Sequence, residues 1–540
     1  MEYLNIILHP SIILFLSAIL LRIFYKYDKI FGIISVLAPL ISLFLLNYSE
    51  GKIYLHIANI SLIYKLSYDN LIIGSAFSNV LFAANIIAVS QNRKLEVIYG
   101  TAYGAASIFC ILANDYISIF LSLELMMIFS SIIIFMGGKT GSITSAKKYF
   151  LTHFLSGNMI LFGFIYMINK TGSIEITNLT NLYYDEGYSS FALSVMLIGM
   201  IINIAAVPFS GWMIYYYSKS SPSGFIYLIS FTTKVSIVLI IKFFSGFEDL
   251  KIVGSVMICY SCYKMIYENN INRYLSYLSI NAMGFMLIGI SVGYYNITYA
   301  LYIYLGFHII YKLLLTICLL NISNSSSKID DLNRPNNIFI IVGLIISIAF
   351  MLCIPGSGSY YAKKIIFSHF NDQFYLLISL STFITAYSLP WKQFLIKNNQ
   401  QSIKQITVTS NVIIIILLLL FLLINKSLLI GNNPIIILAT LKQIAIILLA
   451  LLISSKFTPK RIKIKSMNLI EVAGKAFFYY FNYFDNKNVK SDIESIENWS
   501  IQSLEAQINK RFRVFHNQQT AIFIFILIFI ILLFNALFLK

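Results

Sequence analysis

The feature that most constrains this chain is a succession of apolar runs, each close to the ~20 residues an α-helix needs to cross a bilayer. The runs "LIIGSAFSNVLFAANIIAVS" (71–90) and "YISIFLSLELMMIFSSIIIF" (116–135) are two of them, and short polar connectors separate most of the rest. An outer-membrane barrel would instead show alternating segments of ~10 residues. The expected fold class is therefore an all-α polytopic membrane protein with about 14–16 transmembrane helices. Spans are predicted at 4–24, 31–47, 70–90, 97–113, 116–136, 146–168, 191–213, 223–245, 251–267, 274–293, 296–320, 337–355, 374–390, 409–425, 434–455 and 520–539. With 58% hydrophobic and 11% charged residues over 540 positions, the chain lacks the polar surface a soluble protein of this length requires. The stretch "MEYLNIILHPSIILFLSAILLRIF" has neither a basic leading region nor a small-residue cleavage site, so it reads as the first span.

Basic residues fall in alternate loops. Arg22, Lys26 and Lys29, then Arg93 and Lys94, Lys139, Lys147 and Lys148, Lys264 and Arg273, Lys328 and Arg334, and Lys392, Lys397 and Lys404 all follow odd-numbered spans. The even-numbered loops are poor in them, as in "YYDEG" (183–187). The positive-inside rule places the odd loops in the cytoplasm and the N-terminus outside. The net charge of +17 comes largely from such loops and a late hydrophilic stretch. It fits topology and an anionic lipid surface, and there is no aromatic-interleaved motif for nucleic acid. Residues 456–519 break the pattern: Ile496, Trp499, Leu504 and Ile508 fall at helical spacing. They predict a cytoplasmic amphipathic segment, or equally a tolerated polar linker, before a final anchor at 520–540.

Ionisable groups inside spans are costly and usually face a hydrated or protein-lined path. Glu124, Lys234, His308, Lys312 and Lys363 are the candidates here, while His153 in "YFLTHFLSGN" reads on local evidence as a packing residue first and a relay member second. Lys242, Lys264 and Lys364, near span ends, read as snorkelling side chains. Lys234 does not: it is predicted roughly 11 residues, or about 16 Å, from either end of its span. His308 and Lys312 sit four apart in "GFHIIYKLLL", on one helix face, where two charges would repel. Two spans carry helix breakers: Pro208 in "NIAAVPFSGW", and Pro355 with Gly356 and Gly358 in "CIPGSGSYY". Paired broken helices in two halves of a transporter mark a conduction path. The five cysteines lie in apolar segments and read as small packing residues; Cys259 and Cys262 have no second pair with which to hold a metal. No nucleotide loop, nucleophile constellation or cofactor motif is found, so the chain carries no catalytic site of its own on this reading.

Seven motifs in order now resemble a known family over about 97–370. They are "ANDYISIFLSLELM", "KKYFLTHFLSGNMILFGFIYMINKTGS", "NIAAVPFSGWM", "FTTKV", "ENNINRYLSYLSINAMGFMLIG", "FHIIYKLLL" and "IPGSGSYYAK". The chain resembles the antiporter-like membrane subunits shared by respiratory complex I and the multisubunit monovalent cation/proton antiporters. "FTTKV", "ENNINR" and His153 make the D-type antiporter subunit the first reading, and a complex I (NADH-quinone oxidoreductase) chain of the N, M or L kind the alternative. A non-conducting membrane scaffold is the third.

The resemblance implies two inverted five-helix repeats, at 97–245 and 251–395, after N-terminal helices at 1–96 and before additional helices at 396–455. It implies a midplane proton relay in which Glu124 tunes Lys234, His308 and Lys312 bridge to the second half, and Lys363 ends the path. It implies other membrane subunits as partners, protons with Na+ or K+ as the ions, no cofactor, and a bacterial inner membrane, or alternatively a mitochondrial one. Relatives commonly place a lysine at Asn203, histidines at Ser210 and Tyr304, and a polar residue at Ala282. Asn203 and Tyr304 are thus weaker members of the expected relay.

Overall fold

The computed structural model describes residues 9–46, 51–57, 60–323, 327–332, 334, 335, 337–370, 372–391, 394, 413, 415–418, 437–456 and 461. The chain divides into two compact units, Met1–Ser466 and Met467–Lys540, and every described residue lies in the first. Most of the span expected at 409–425, nearly all of the amphipathic segment and the whole final anchor lie outside the described residues.

In chain order the elements are α1 (Pro10–Ile23), α2 (Asp28–Leu46), β1 (Gly51–Ile57), β2 (Ile60–Leu66), α3 (Tyr68–Ser90), α4 (Lys94–Leu112), α5 (Tyr116–Phe135), α6 (Ser142–Thr171), α7 (Ser190–Asn203), α8 (Pro222–Ser230), α9 (Thr232–Phe244), α10 (Leu250–Tyr267), α11 (Ile271–Ile290), α12 (Tyr295–Ile322), α13 (Ile338–Met351), α14 (Gly358–Phe367), α15 (Asp372–Ser388) and α16 (Ile437–Lys456). Among the described residues, seven helical stretches are long and apolar enough to span a bilayer, one of them the α8–α9 pair. The all-α expectation holds for the spans. An antiparallel hairpin, β1 with β2, is added between α2 and α3. It ties to the helices where Tyr64 pairs with Ala113 and where the Asp115 carboxylate accepts Ile63 N–H at 2.8 Å.

Helix starts follow local sequence. Ser67, Asp115, Ser189, Ser221, Asn270, Asn337 and Ser357 each cap a helix by accepting a backbone N–H two or three residues on. Pro222 then sits at the first position of α8, where its missing N–H costs nothing. The most apolar part of the α8–α9 stretch is wholly buried and that of α12 nearly so, whereas only a third of that of α2 is buried. The centre of the bundle is therefore α8, α9 and α12, and α2 lies at its edge. Exposed apolar residues such as Ile33, Leu151, Leu155, Ile252 and Ile345 suit contact with lipid.

Three breaks matter for function. α7 ends at Asn203, and Ala205 turns into the left-handed region (φ 60°) before Pro208. α13 ends at Met351 in the same way: Ile204 and Leu352 share φ −81° and ψ 1°, and Cys353 follows at φ 50°. α7 and α13 are both 14 residues long; α5 and α11 are both 20 and start from Asp115 and Asn270. The third break was not expected. The span at 223–245 is two helices, parted at Phe231 (φ −108°, ψ −68°).

α10 and α11 cross closely at Gly254 and Gly284, where a Cβ on either would strike the other's backbone carbonyl. Gly284→Val should overpack this crossing by about 1–3 kcal/mol and lower the apparent Tm of the detergent-solubilised protein. An unchanged melting curve would show that the helices part freely there.

Candidate functional site

The site builds outward from the break at Phe231. Because α8 stops at Ser230, its last carbonyls lack helical partners. One of them, Ile229 C=O, accepts the Lys234 ammonium at 2.6 Å, and Thr233 Oγ1 accepts it at 3.2 Å. Lys234 is thus on the first turn of α9, not mid-helix, and it is completely buried. The negative end of α8 favours a cation at this place. The break itself is supported by Tyr103 of α4, whose hydroxyl accepts Thr232 N–H at 3.1 Å and bonds Thr232 Oγ1.

Thr232 also connects to a second polar group. Its hydroxyl lies 3.4 Å from that of Tyr149, which accepts from Ser130 at 3.0 Å. Tyr149, Thr232, Glu124, His153, Gly157 and Asn203 line one small cavity. Glu124 points across α6 at Gly157, where a Cβ would come within 2.5 Å of its Oε1. His153 Nδ1 meets Asn203 Oδ1 at 2.8 Å, Ser156 donates to the same oxygen at 2.6 Å, and the imidazole packs on Trp212. His153 Nε2 is buried without a partner. His153 and Asn203 therefore form one hydrogen-bonded unit beside Glu124.

On α12 the two groups of the "HIIYK" stretch take different partners. Lys312 reaches α11 and donates to Leu275 C=O at 2.5 Å. His308 Nδ1 lies 2.8 Å from Tyr311 Oη, and its Nε2 is buried without a partner. Lys234 is near enough for its charge to bear on both His308 and Lys312. Lys363, on α14, donates to Thr382 Oγ1 at 3.0 Å and sits over the rings of Phe285 and Phe367. Tyr304 packs against the same Phe285, with ring centroids 4.9 Å apart. The structure brings together Glu124, His153 and Asn203 in one group, and Lys234, His308 and Lys312 in another. No salt bridge joins Glu124, Lys234, Lys312 or Lys363 to any described residue.

Some residues differ from their sequence-based expectation. Lys242 does not snorkel: its ammonium caps α4 through Ile111 C=O (2.7 Å) and Ala113 C=O (2.8 Å). Cys259 is exposed, while the other four cysteines are buried. Glu96, at the start of α4, is buried and accepts from Ser221 (2.7 Å) and Ser223 (2.5 Å) at the start of α8. Gly157, Tyr103, Tyr311 and Glu96 carry no sign of their roles in the sequence, although Gly157 and Tyr311 lie inside motifs quoted for the family.

The family model for the transmembrane part of NADH:quinone oxidoreductase and Mrp antiporter subunits matches residues 113–389, just over half of the chain. Subunit N of the NADH-quinone oxidoreductase of Pelagibacter ubique is 26% identical over 296 residues, covering 51% of this chain and 63% of that protein. The chain spans about three fifths of the length of the bacterial relatives it matches first, at 63%, 63% and 61%. A chain of respiratory complex I from Thermus thermophilus superposes with a TM-score of 0.66 at 16% identity, covering 78% of this chain and 98% of that one. A chain of the Mrp complex from a Dietzia species gives 0.56 at 16% identity, covering 78% and 79%. Both are likenesses of fold.

Gly157→Ala should push the Glu124 carboxyl out of its place. Its infrared carboxyl stretch, identified by its loss in Glu124→Gln, should shift; an unmoved band would mean that Glu124 does not rest on Gly157.

Proposed function

This chain belongs to the NADH:quinone oxidoreductase/Mrp antiporter transmembrane family, and on that premise we propose that it is a proton-translocating membrane subunit of a complex I-type assembly, resembling subunit N. The sequence motifs put the D-type antiporter subunit first; the relatives named NADH-quinone oxidoreductase subunit N favour the alternative. The observation that carries the reading is Lys234, fully buried at an interrupted helix, its ammonium held by a released carbonyl and without a carboxylate partner among the described residues. An ionisable group kept in such a place is costly unless it is used.

The proposed relay runs from Glu124 and His153 through the Tyr149–Thr232 hydroxyls to Lys234, then to His308 and Lys312, and ends at Lys363. A charge on one of the three clustered cations opposes a charge on the next, so protonation passes along rather than accumulating. The matched lengths of α5 with α11 and of α7 with α13, and the paired left-handed turns, support two repeats at 97–245 and 251–395. The proposed setting is a bacterial inner membrane, with other membrane subunits as partners.

The second reading, a subunit of an Mrp-type antiporter, draws support from the fold likeness to the Mrp complex. Purification of the assembly separates the two: co-purifying iron–sulfur subunits and NADH-driven flux support the first, and cation/proton exchange without them overturns it. In vesicles of the intact assembly, Lys234→Ala and Lys363→Ala should abolish proton flux; wild-type flux in both would leave a non-conducting scaffold. Glu124→Gln should lower flux without abolishing it, because Asn203 replaces the usual lysine and His153 Nε2 remains in the cavity wall. Complete loss would show that Glu124 is indispensable.

A further inference from the structure

We infer that the step from His308 toward Lys363 passes through two phenols, Tyr311 and Tyr304, and not through Lys312. The inference rests on the relay reading above; it adds two residues to the path and moves Lys312 from the path to a place beside it. Tyr304, His308 and Tyr311 are spaced i, i+4 and i+7 on α12, so they share one face. The His308 Nδ1 to Tyr311 Oη distance is 2.8 Å, and Tyr304 stands two turns before Tyr311 on the same face, near enough for a charge on one phenol to bear on the other. Both tyrosines are buried, at 2% and 5% exposure, so these hydroxyls cannot rely on bulk water.

Cys353 marks where the path crosses to the second broken helix. It occupies the left-handed turn after α13, within electrostatic reach of Tyr304 and Tyr311 on one side and of Lys363 on the other. Phe285 closes the space, packed on Tyr304 at 4.9 Å and lying 5.7 Å beneath the Lys363 ammonium. Lys312 points elsewhere, with its ammonium on Leu275 C=O of α11 at 2.5 Å. Its position suits an electrostatic bias on His308 better than a carrier's place.

A phenol can pass a proton without net change, since its oxygen both accepts and donates. His308, neutral with its proton on Nδ1, first takes a proton at Nε2, the nitrogen left without a partner; the imidazolium then gives its Nδ1 proton to Tyr311 Oη as the Tyr311 proton moves to Tyr304 Oη, and the Tyr304 proton leaves toward the neutral Lys363 amine. Both phenols are neutral before and after. His308 is left neutral with its proton on Nε2, and the ring tautomer returns that proton to Nδ1 before the next one is taken up at Nε2.

The test measures driven proton flux in vesicles of the intact assembly, with the amount of assembled complex checked on native gels. Tyr311→Phe and Tyr304→Phe keep ring volume and remove the hydroxyl alone. Each should cut flux about tenfold or more, and the double variant should fall no further than the worse single, because the two act in series. Tyr304→His should recover flux, since imidazole also accepts and donates. Wild-type flux in both Phe variants, with Lys234→Ala inactive, would overturn the phenol step and leave the relay standing. Loss in Tyr304→Phe that Tyr304→His does not repair would overturn it too, since packing would then be what the position supplies. Wild-type flux in Lys234→Ala would instead remove the relay reading on which the step rests.

Discussion

The structure depends on how an ammonium can be kept in hydrocarbon without an acid beside it. A buried charge needs oxygen partners, and an unbroken helix has few to spare. Lys234 obtains its carbonyl from the end of α8, and Lys242 obtains two from the end of α4. Lys312 takes one from Leu275 in the second turn of α11. Backbone dipoles hold these cations without neutralising them, which is what separates them from structural ion pairs. Backbone carbonyls are thus the means by which these three lysines are accommodated, and for Lys234 the carbonyl is supplied by a helix interruption.

The two halves share geometry but not chemistry. Glu124 lies nine residues after Asp115; the residue nine after Asn270 is Ser279, whose hydroxyl is buried without a partner. The buried carboxyl of Glu124 therefore sits in the first half beside His153, while Tyr304, Tyr311, Cys353 and Lys363 lie in the second. Asn203 is not idle: it fixes the His153 ring through Oδ1 and so determines which imidazole nitrogen stays unbonded.

Much of this was legible in the sequence. Apolar periodicity located nearly every described span, and Pro208 and Pro355 marked two breaks because proline and glycine announce themselves locally. The break at Phe231 was not legible: "ISFTTKV" contains neither breaker, and the interruption is supported by the Tyr103 hydroxyl, 129 residues away from Thr232 in sequence. Gly157 reads as an ordinary helical glycine until Glu124 is seen against it. Tyr311 reads as an aromatic packing residue until His308 is seen to bond it. The hairpin's alternating residues "KIYLHI" and "SLIYKL" carry a local signal, but it is short beside the apolar runs that flank it.

One nine-residue helix has a consequence for motion. α8 is gripped at its start by Glu96 through Ser221 and Ser223, and at its end by the Lys234 ammonium. Its dipole therefore lies between a carboxylate at the positive end and an amine at the negative end. Such a rod acts as a strut: an axial slide of even one residue's rise, about 1.5 Å, would loosen one grip as it compressed the other. A displacement at the Glu96 end would by this geometry reach the lysine at the other, with no charge having travelled between them.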